Sequence, residues 1–126
     1  MSKKAIRSNA APAALGPYSQ AIAAGNTVYL SGQLGIDPVT GVLRDGIVAQ
    51  THQVFHNLRA VAQAAGSDLD GFVKLTILLV DLNDFAAINE IMAAYFKEPY
   101  PARATYQVAA LPKAAAVEIE AVLVLD

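Results

Sequence analysis

The 126-residue chain contains no cysteine, which excludes disulfides, thiolate nucleophiles and cysteine-ligated metal sites. It also lacks any run approaching the roughly 20 apolar residues that a membrane-spanning helix needs. The basic N-terminal residues are followed by Ser8 and Pro12 rather than by the apolar core of a signal peptide. We therefore expect a cytoplasmic protein with no membrane partner.

Charge is scarce as well. Charged residues make up 16% of the chain, and the formal net charge is -2. The lysines and arginines are scattered along the sequence, so they form no broad basic surface for phosphates. This distribution disfavours nucleic acid as a partner.

Apolar residues are abundant for so small a protein, at 55% of the chain. A chain of this length suits one compact domain, which we place at residues 1–126. Because small domains have a large surface relative to their volume, some of the apolar surface is expected to lie at a subunit interface.

The spacing of apolar residues predicts alternating strands and helices. Gly25 and Asn26 separate two apolar strands, as in a tight hairpin. From Ile47 the apolar positions recur at helical spacing, and Gly66 provides a stop. Residues 72–80 alternate, which predicts a central strand with Val73, Leu75, Ile77 and Leu79 on one face. A second helix follows, capped by Asp81 or Asn83 and apolar along Phe85, Ile88, Met92, Tyr95 and Phe96.

The last part of the chain carries the charged residues of most interest. Residues 101–108 and 117–124 are predicted to be two strands joined by a turn. Alternation places Arg103 with Thr105 on one face of the first strand and Glu118 with Glu120 on one face of the second. A guanidinium matches a carboxylate in two places, and a glutamate can orient or activate water, so the pair suggests hydrolysis of a small anion. A structural cross-strand ion pair is the commoner explanation of such a pattern.

The two histidines, His52 and His56, lie four residues apart on one predicted helix face. This spacing is compatible with metal binding, but no carboxylate accompanies the pair and no third ligand is evident. A solvated face or an interface explains the histidines better. We assign neither a metal nor an organic cofactor.

Four segments together resemble the RidA/YjgF family, the reactive intermediate deaminases. They are GPYSQA at 16–21, SGQ at 31–33, DLNDF at 81–85 and PARATYQVAALPKAAAVEIEA at 101–121, in the family's order. The resemblance spans nearly the whole chain. It implies an α+β, chorismate-mutase-like domain in which two helices pack on one face of a mixed sheet. It also implies a homotrimer with sheets facing inward and active sites in the clefts between subunits.

The resemblance further implies an enamine/imine deaminase that converts short 2-imino acids, such as 2-iminopropanoate or 2-iminobutanoate, to 2-keto acids and ammonia. Arg103 would then hold the substrate carboxylate, and Glu118 would orient or deprotonate water. The remaining contacts would come from Tyr18 as a pocket wall, from backbone near Gly32 and Thr105, and from Asn89 at the subunit interface.

Three points stay open at this stage. Thr105 stands where many family members have cysteine, which puts substrate preference in doubt more than activity. A ring substrate such as 2-aminomuconate also fits the family. The rival functions are an endoribonuclease that inhibits translation, as described for some members, and a non-catalytic trimer that binds a small ligand or a protein.

Overall fold

A six-stranded mixed sheet with two helices on one face organises residues 2–126, the part of the chain that the computed structural model describes. The strands are β1 (Lys3–Ile6), β2 (Ala21–Ala24), β3 (Thr27–Leu34), β4 (Phe72–Leu79), β5 (Ala102–Gln107) and β6 (Val117–Val124). The helices are α1 (Ile47–Ala64) and α2 (Phe85–Tyr95). In space the strands follow the order β1-β2-β3-β6-β4-β5. The α+β architecture expected from the sequence is confirmed.

Local sequence signals explain the first hairpin and both helices. Strands β2 and β3 pair antiparallel around Gly25, whose φ of 61° suits glycine. Helix α1 stops just before Gly66, at φ 89°, as predicted. The Asp81 carboxylate accepts a hydrogen bond from the Asn83 backbone at 2.9 Å, which caps a short 3-10 turn leading into α2.

The predicted hairpin between the last two strands is wrong. Strand β5 pairs in parallel with β4, and β6 lies between β3 and β4, antiparallel to both. The segment β4-α2-β5 is a crossover unit, which returns the chain parallel to the strand it left. Strand β6 takes a central position because its alternate residues are buried: Val117, Ile119, Ala121 and Leu123.

The core lies between the sheet and the two helices. Leu75, Ile77 and Leu79 of β4 point into it, as predicted. Val73 does not, because the pairing with β6 shifts by one residue between Phe72 and Lys74. Phe72 is buried at the core instead, and Val73 is exposed.

The other sheet face carries apolar side chains without a helix over it. Tyr29 is 54% exposed and Val124 is 42% exposed, and Val122 lies opposite Tyr29 in the register of β3 and β6. Exposed apolar area of this kind is costly in water. Within residues 2–126, neither helix has the length and apolar character needed to cross a membrane.

Two buried amides of α1 hold the strand ends next to β3 and β6. The Gln50 side-chain oxygen accepts a hydrogen bond from the Ala116 backbone at 2.8 Å. The Asn57 side chain donates to the carbonyls of Leu34 and Ile36 at 3.1 and 3.0 Å. Because buried amides that satisfy backbone groups fix them in place, α1 sets the end of β3 and the start of β6 relative to each other.

Candidate active site

Arg103 lies on β5 and faces α2. One terminal nitrogen of its guanidinium donates to the Asn89 side-chain oxygen and lies 3.7 Å from the Met92 sulfur. The guanidinium carbon is 5.1 Å from the centre of the Phe85 ring, which is cation–π distance. Within residues 2–126, the guanidinium has no carboxylate partner. Because the contacts with α2 are on one side of the guanidinium, its remaining N–H groups are free to bind an anion.

Glu118 lies on β6, half-buried on the sheet face away from the helices. Gly32 of β3 makes room for it, since a Cβ at position 32 would overlap the Glu118 carboxylate. Burial raises the pKa of the Glu118 carboxyl, and the negative charge of nearby Glu120 raises it further. A carboxyl with a raised pKa in a partly shielded position is a candidate for proton transfer.

The two charged groups do not meet within one protomer. Arg103 of β5 is opposite Leu75 of β4, and Leu75 is in turn opposite Ala121 of β6. Leu75 and Ala121 are both buried under the helices. Because residues opposite one another share a sheet face, Arg103 lies on the helix side. Glu118, an odd number of residues from Ala121, lies on the other side.

Thr105 shares the helix-facing side of β5 with Arg103 and is opposite Ile77. Its hydroxyl oxygen is buried and has no hydrogen-bond partner among residues 2–126. A buried polar atom without a partner carries a desolvation cost. The hydroxyl therefore makes no identified contribution to the fold of the protomer.

Tyr18 lies in an exposed segment before β2 and is 56% exposed. The buried side chain of Gln20 fixes the preceding residues through two hydrogen bonds. Its oxygen accepts from the Ser8 backbone N–H at 2.6 Å, and its nitrogen donates to the Pro12 carbonyl at 2.7 Å. On the other side, the Ser31 hydroxyl donates to the Ser19 carbonyl at 2.5 Å. These contacts fix both flanks of the segment that carries Tyr18, next to the strand that carries Gly32.

The histidines lie away from these groups, on the outer surface of α1. The Nδ1 atom of His52 is 2.8 Å from the Tyr95 hydroxyl, and the His56 ring packs edge-on against the same tyrosine. No group of three or more histidine, aspartate or glutamate side chains among residues 2–126 is arranged to hold a metal ion. The histidines instead join α1 to α2.

Sequence reasoning missed several residues around the candidate site. The apolar stripe of the second helix predicts only packing for Phe85 and Met92, yet both also contact the Arg103 guanidinium. Gln20 and Ser31 belong to motifs that resemble the family, but the sequence gives no sign that they fix the Tyr18 segment. A polar residue buried at 5% exposure, such as Gln20, is a signal only once the structure is known.

Comparisons with known proteins cover almost the entire chain. A family model described as Endoribonuclease L-PSP matches residues 8–125. The chain is 55% identical over 121 residues to the RutC family protein y4sK of Sinorhizobium fredii, covering 95% of this chain and 96% of that protein. It is 50% identical over 123 residues to 2-iminobutanoate/2-iminopropanoate deaminase of Homo sapiens, covering 97% and 90%. The crystal structure of RidA from an Antarctic Psychrobacter matches with a TM-score of 0.95 at 55% identity, covering 97% of this chain and 99% of that chain.

Proposed function

Because the chain belongs to the endoribonuclease L-PSP family, also known as RidA/YjgF, we propose that it is a deaminase that hydrolyses short 2-imino acids. The substrates would be compounds such as 2-iminopropanoate and 2-iminobutanoate, and the products 2-keto acids and ammonia. The observation that carries the proposal is the Arg103 guanidinium, held at one nitrogen by Asn89 and with no carboxylate partner in the protomer. The 50% identity to the human imine deaminase supports the same chemistry.

The working enzyme is a homotrimer in this proposal. Arg103 and Glu118 lie on opposite faces of one sheet, so a site that uses both needs groups from two protomers. The uncovered face around Tyr29, Val122 and Val124 supplies the apolar surface for such an assembly. Glu118 lies on that same face and would therefore be close to a neighbouring subunit.

The substrate would be fixed by its carboxylate. The free edge of Arg103 can donate hydrogen bonds to both carboxylate oxygens, with Asn89 holding the guanidinium in orientation. Tyr18 would wall the pocket, and backbone near Gly32 and Thr105 would contact the substrate. Asn89 thus acts as a positioning residue beside the substrate in this scheme.

The chemistry then needs one water and one proton shuttle. Glu118 accepts a proton from water as the oxygen attacks the protonated imine carbon, giving a carbinolamine. Glu118 passes this proton to the amino nitrogen and takes the hydroxyl proton as the carbon–nitrogen bond breaks. Ammonia leaves, the 2-keto acid forms, and the proton on Glu118 passes to ammonia. The raised pKa of Glu118 suits a group that accepts and returns protons in this way.

No metal or organic cofactor takes part in this scheme. An imine next to a carboxylate is electrophilic once protonated, so positioning and proton transfer suffice. Dialysis against a chelator is expected to leave the rate unchanged. Loss of activity that a metal ion restores would contradict the scheme.

The decisive experiment follows freshly made imine. An L-amino-acid oxidase generates the imine from alanine or 2-aminobutanoate, semicarbazide traps what remains, and the protein is expected to lower the trapped amount. Light scattering on the same sample measures the oligomer mass, expected to be that of a trimer. An unchanged imine lifetime would favour a non-catalytic ligand-binding protein, and cleavage of RNA by the same preparation would favour the ribonuclease.

A further inference from the structure

Gln50 of α1 contacts both the start of β6, which carries Glu118, and the end of β3 beside it. Its side-chain oxygen accepts a hydrogen bond from the Ala116 backbone at 2.8 Å, two residues before Glu118 in the chain. A Cβ atom at Gly35, just past the end of β3, would overlap the Gln50 backbone, so the helix lies directly against that strand end. Gln50 is only 5% exposed. One buried amide of α1 therefore meets both strands beside Glu118.

Asn57, two helical turns further along α1, holds the same end of β3. It is fully buried, and its side chain donates to the carbonyls of Leu34 and Ile36 at 3.1 and 3.0 Å. Leu34 is opposite Glu118 in the register of β3 and β6. Because the end of β3 is fixed in this way, a shift at the start of β6 would change the position of the Glu118 carboxyl relative to Gly32.

The turn before β6 is conformationally costly. Lys113 and Ala114 have φ values of 58° and 56°, a left-handed conformation that is unfavourable for residues other than glycine. The Ala116 carbonyl accepts a hydrogen bond from the Val80 backbone, but this bond is long, at 3.3 Å. The shorter bond from the Ala116 N–H to Gln50 is therefore the better of the two hydrogen bonds that hold the start of β6.

We infer that Gln50 is a positioning residue for Glu118: by holding Ala116, it keeps the Glu118 carboxyl in the place beside Gly32 from which it transfers protons. The inference rests on the proposed function and adds to it a residue that contacts no substrate. Arg103 is independent of this contact, because it lies on β5 and is held by α2. Loss of the Gln50 contact should therefore lower kcat and leave KM nearly unchanged.

Gln50→Met tests this role, because methionine has nearly the same length but offers no strong acceptor for the Ala116 N–H. For the imine generated from alanine, kcat is expected to fall roughly tenfold or more, since a misplacement of about 1 Å at a reacting group can cost about a hundredfold. Gln50→Asn, which is too short to reach Ala116, should show the same loss. Gln50→Glu keeps an acceptor oxygen and should retain most of kcat at neutral pH.

Two buried residues of α1 whose side chains hydrogen-bond to no strand serve as controls. Thr51→Val removes a hydroxyl that donates to the Ile47 carbonyl at 2.7 Å, within the helix. Val61→Ala removes buried methyl groups and is expected to lower the thermal midpoint. Both should leave turnover per folded site unchanged. If Gln50→Met also lowers only the midpoint, or raises KM while kcat is unchanged, the positioning role is wrong.

Carboxyl-carbon NMR measures the position of Glu118 without turnover. The Glu118 signal is assigned by its absence in Glu118→Gln and is then followed as a function of pH. Because burial raises the pKa of Glu118, a carboxyl displaced toward solvent titrates at lower pH. We expect that shift in Gln50→Met and not in Thr51→Val. Neither variant changes the other ionisable side chains on this sheet face of β3 to β6, which are Tyr29, Lys74, Tyr106 and Glu120.

The two measurements distinguish the positioning role from the reaction. If the unmodified protein hydrolyses no imine but the Glu118 titration shifts in Gln50→Met, the proposed reaction fails and the positioning role stands. If imine is hydrolysed and the titration is the same in Gln50→Met as in the unmodified protein, the positioning role alone is refuted.

Discussion

Arg103 and Glu118 lie on opposite faces of the same sheet, although only fifteen positions separate them in the chain. Strand β4 lies between the two strands that carry them. Any chemistry that uses both side chains on one small substrate must therefore combine two copies of the protein. This relationship yields the first prediction.

Two inactive variants should restore each other's activity. Arg103→Ala and Glu118→Gln are each expected to be inactive alone. When the two variants are refolded together in equal amounts, the mixture should regain about a quarter of the unmodified rate per site. This is the frequency at which random assembly places an intact arginine beside an intact glutamate. The readout is imine turnover with oligomer mass checked in parallel. Mixing without refolding is the control, and no recovery in a confirmed mixed trimer would show that both groups come from one protomer.

Arg103→Ala is expected to abolish productive substrate binding while the protein stays folded. Removing one partner of a desolvated charge pair costs roughly 2 to 5 kcal/mol, which is about thirtyfold to several thousandfold in kcat/KM. Arg103→Lys should recover little, because lysine has no planar fork. Arg59→Ala removes an exposed arginine that pairs with Asp68 at 3.0 Å and serves as the control. A purely structural Arg103 would lower the thermal midpoint and leave turnover per folded site intact.

The acid limb of the pH–rate profile should depend on Glu120. A base must be ionised, so turnover rises with pH through the pKa of Glu118, which burial and then the charge of Glu120 hold above the ordinary carboxyl range. Glu120→Gln removes that charge, and the acid limb is expected to move to lower pH. Glu98→Gln, an exposed change elsewhere, should leave the profile in place. An unmoved limb in Glu120→Gln would mean that another group controls it.

Glu118→Gln should lose most turnover and gain stability at neutral pH. With a folded-state pKa above the unfolded value, the folded protein binds more protons, so its free energy of unfolding falls as pH rises through the raised pKa. The amide has no such titration, and this part of the pH dependence should disappear. Urea unfolding at several pH values measures it. A variant that is less stable and fully active would contradict both assignments.

Local patterns were enough to predict much of the fold. The Gly25 turn and the apolar face of α1 depend on residues close in the chain, and both appear in the structure. The predicted cap of the second helix is wrong in detail: Asp81 caps the 3-10 turn before α2, and α2 itself begins after Asp84 without a side-chain cap. Strand partners depend on residues far apart, and here sequence reasoning failed. Alternation gives the two faces of a strand but does not say which one meets the helices, so Arg103 and Glu118 appeared able to share one pocket in a hairpin.

The same limit applies to the candidate site. The residue types of Arg103 and Glu118 suggest their chemistry, whereas Gly32 is placed at the site only by the family resemblance. The structure adds that a side chain at Gly32 would collide with Glu118. The contacts of Phe85 and Met92 with the guanidinium were not predictable, because an apolar residue at helical spacing looks the same whether it packs in the core or against a cation.

Thr105→Val should make the protein more stable. The buried hydroxyl has no partner, and valine has nearly the same shape, so the free energy of unfolding is expected to rise by about 1 kcal/mol. Turnover should persist, because the proposed contact at this position uses backbone. Thr105→Ser keeps the hydroxyl and loses the methyl group, so it should be less stable than both the unmodified protein and Thr105→Val. A destabilised or inactive valine variant would mean that the hydroxyl finds a partner in the assembly or the substrate.

Strand β5 is the last strand of the sheet and has only β4 beside it, so its outer edge offers free backbone donors and acceptors. Such an edge can pair with a strand of another chain, and the exposed apolar face around Tyr29 further increases the tendency to aggregate. Variants that weaken the proposed trimer are therefore expected to precipitate rather than to persist as soluble monomers. Oligomerisation in this protein would protect against aggregation as well as complete the site, and selection against insoluble protein would preserve it even where catalysis is lost.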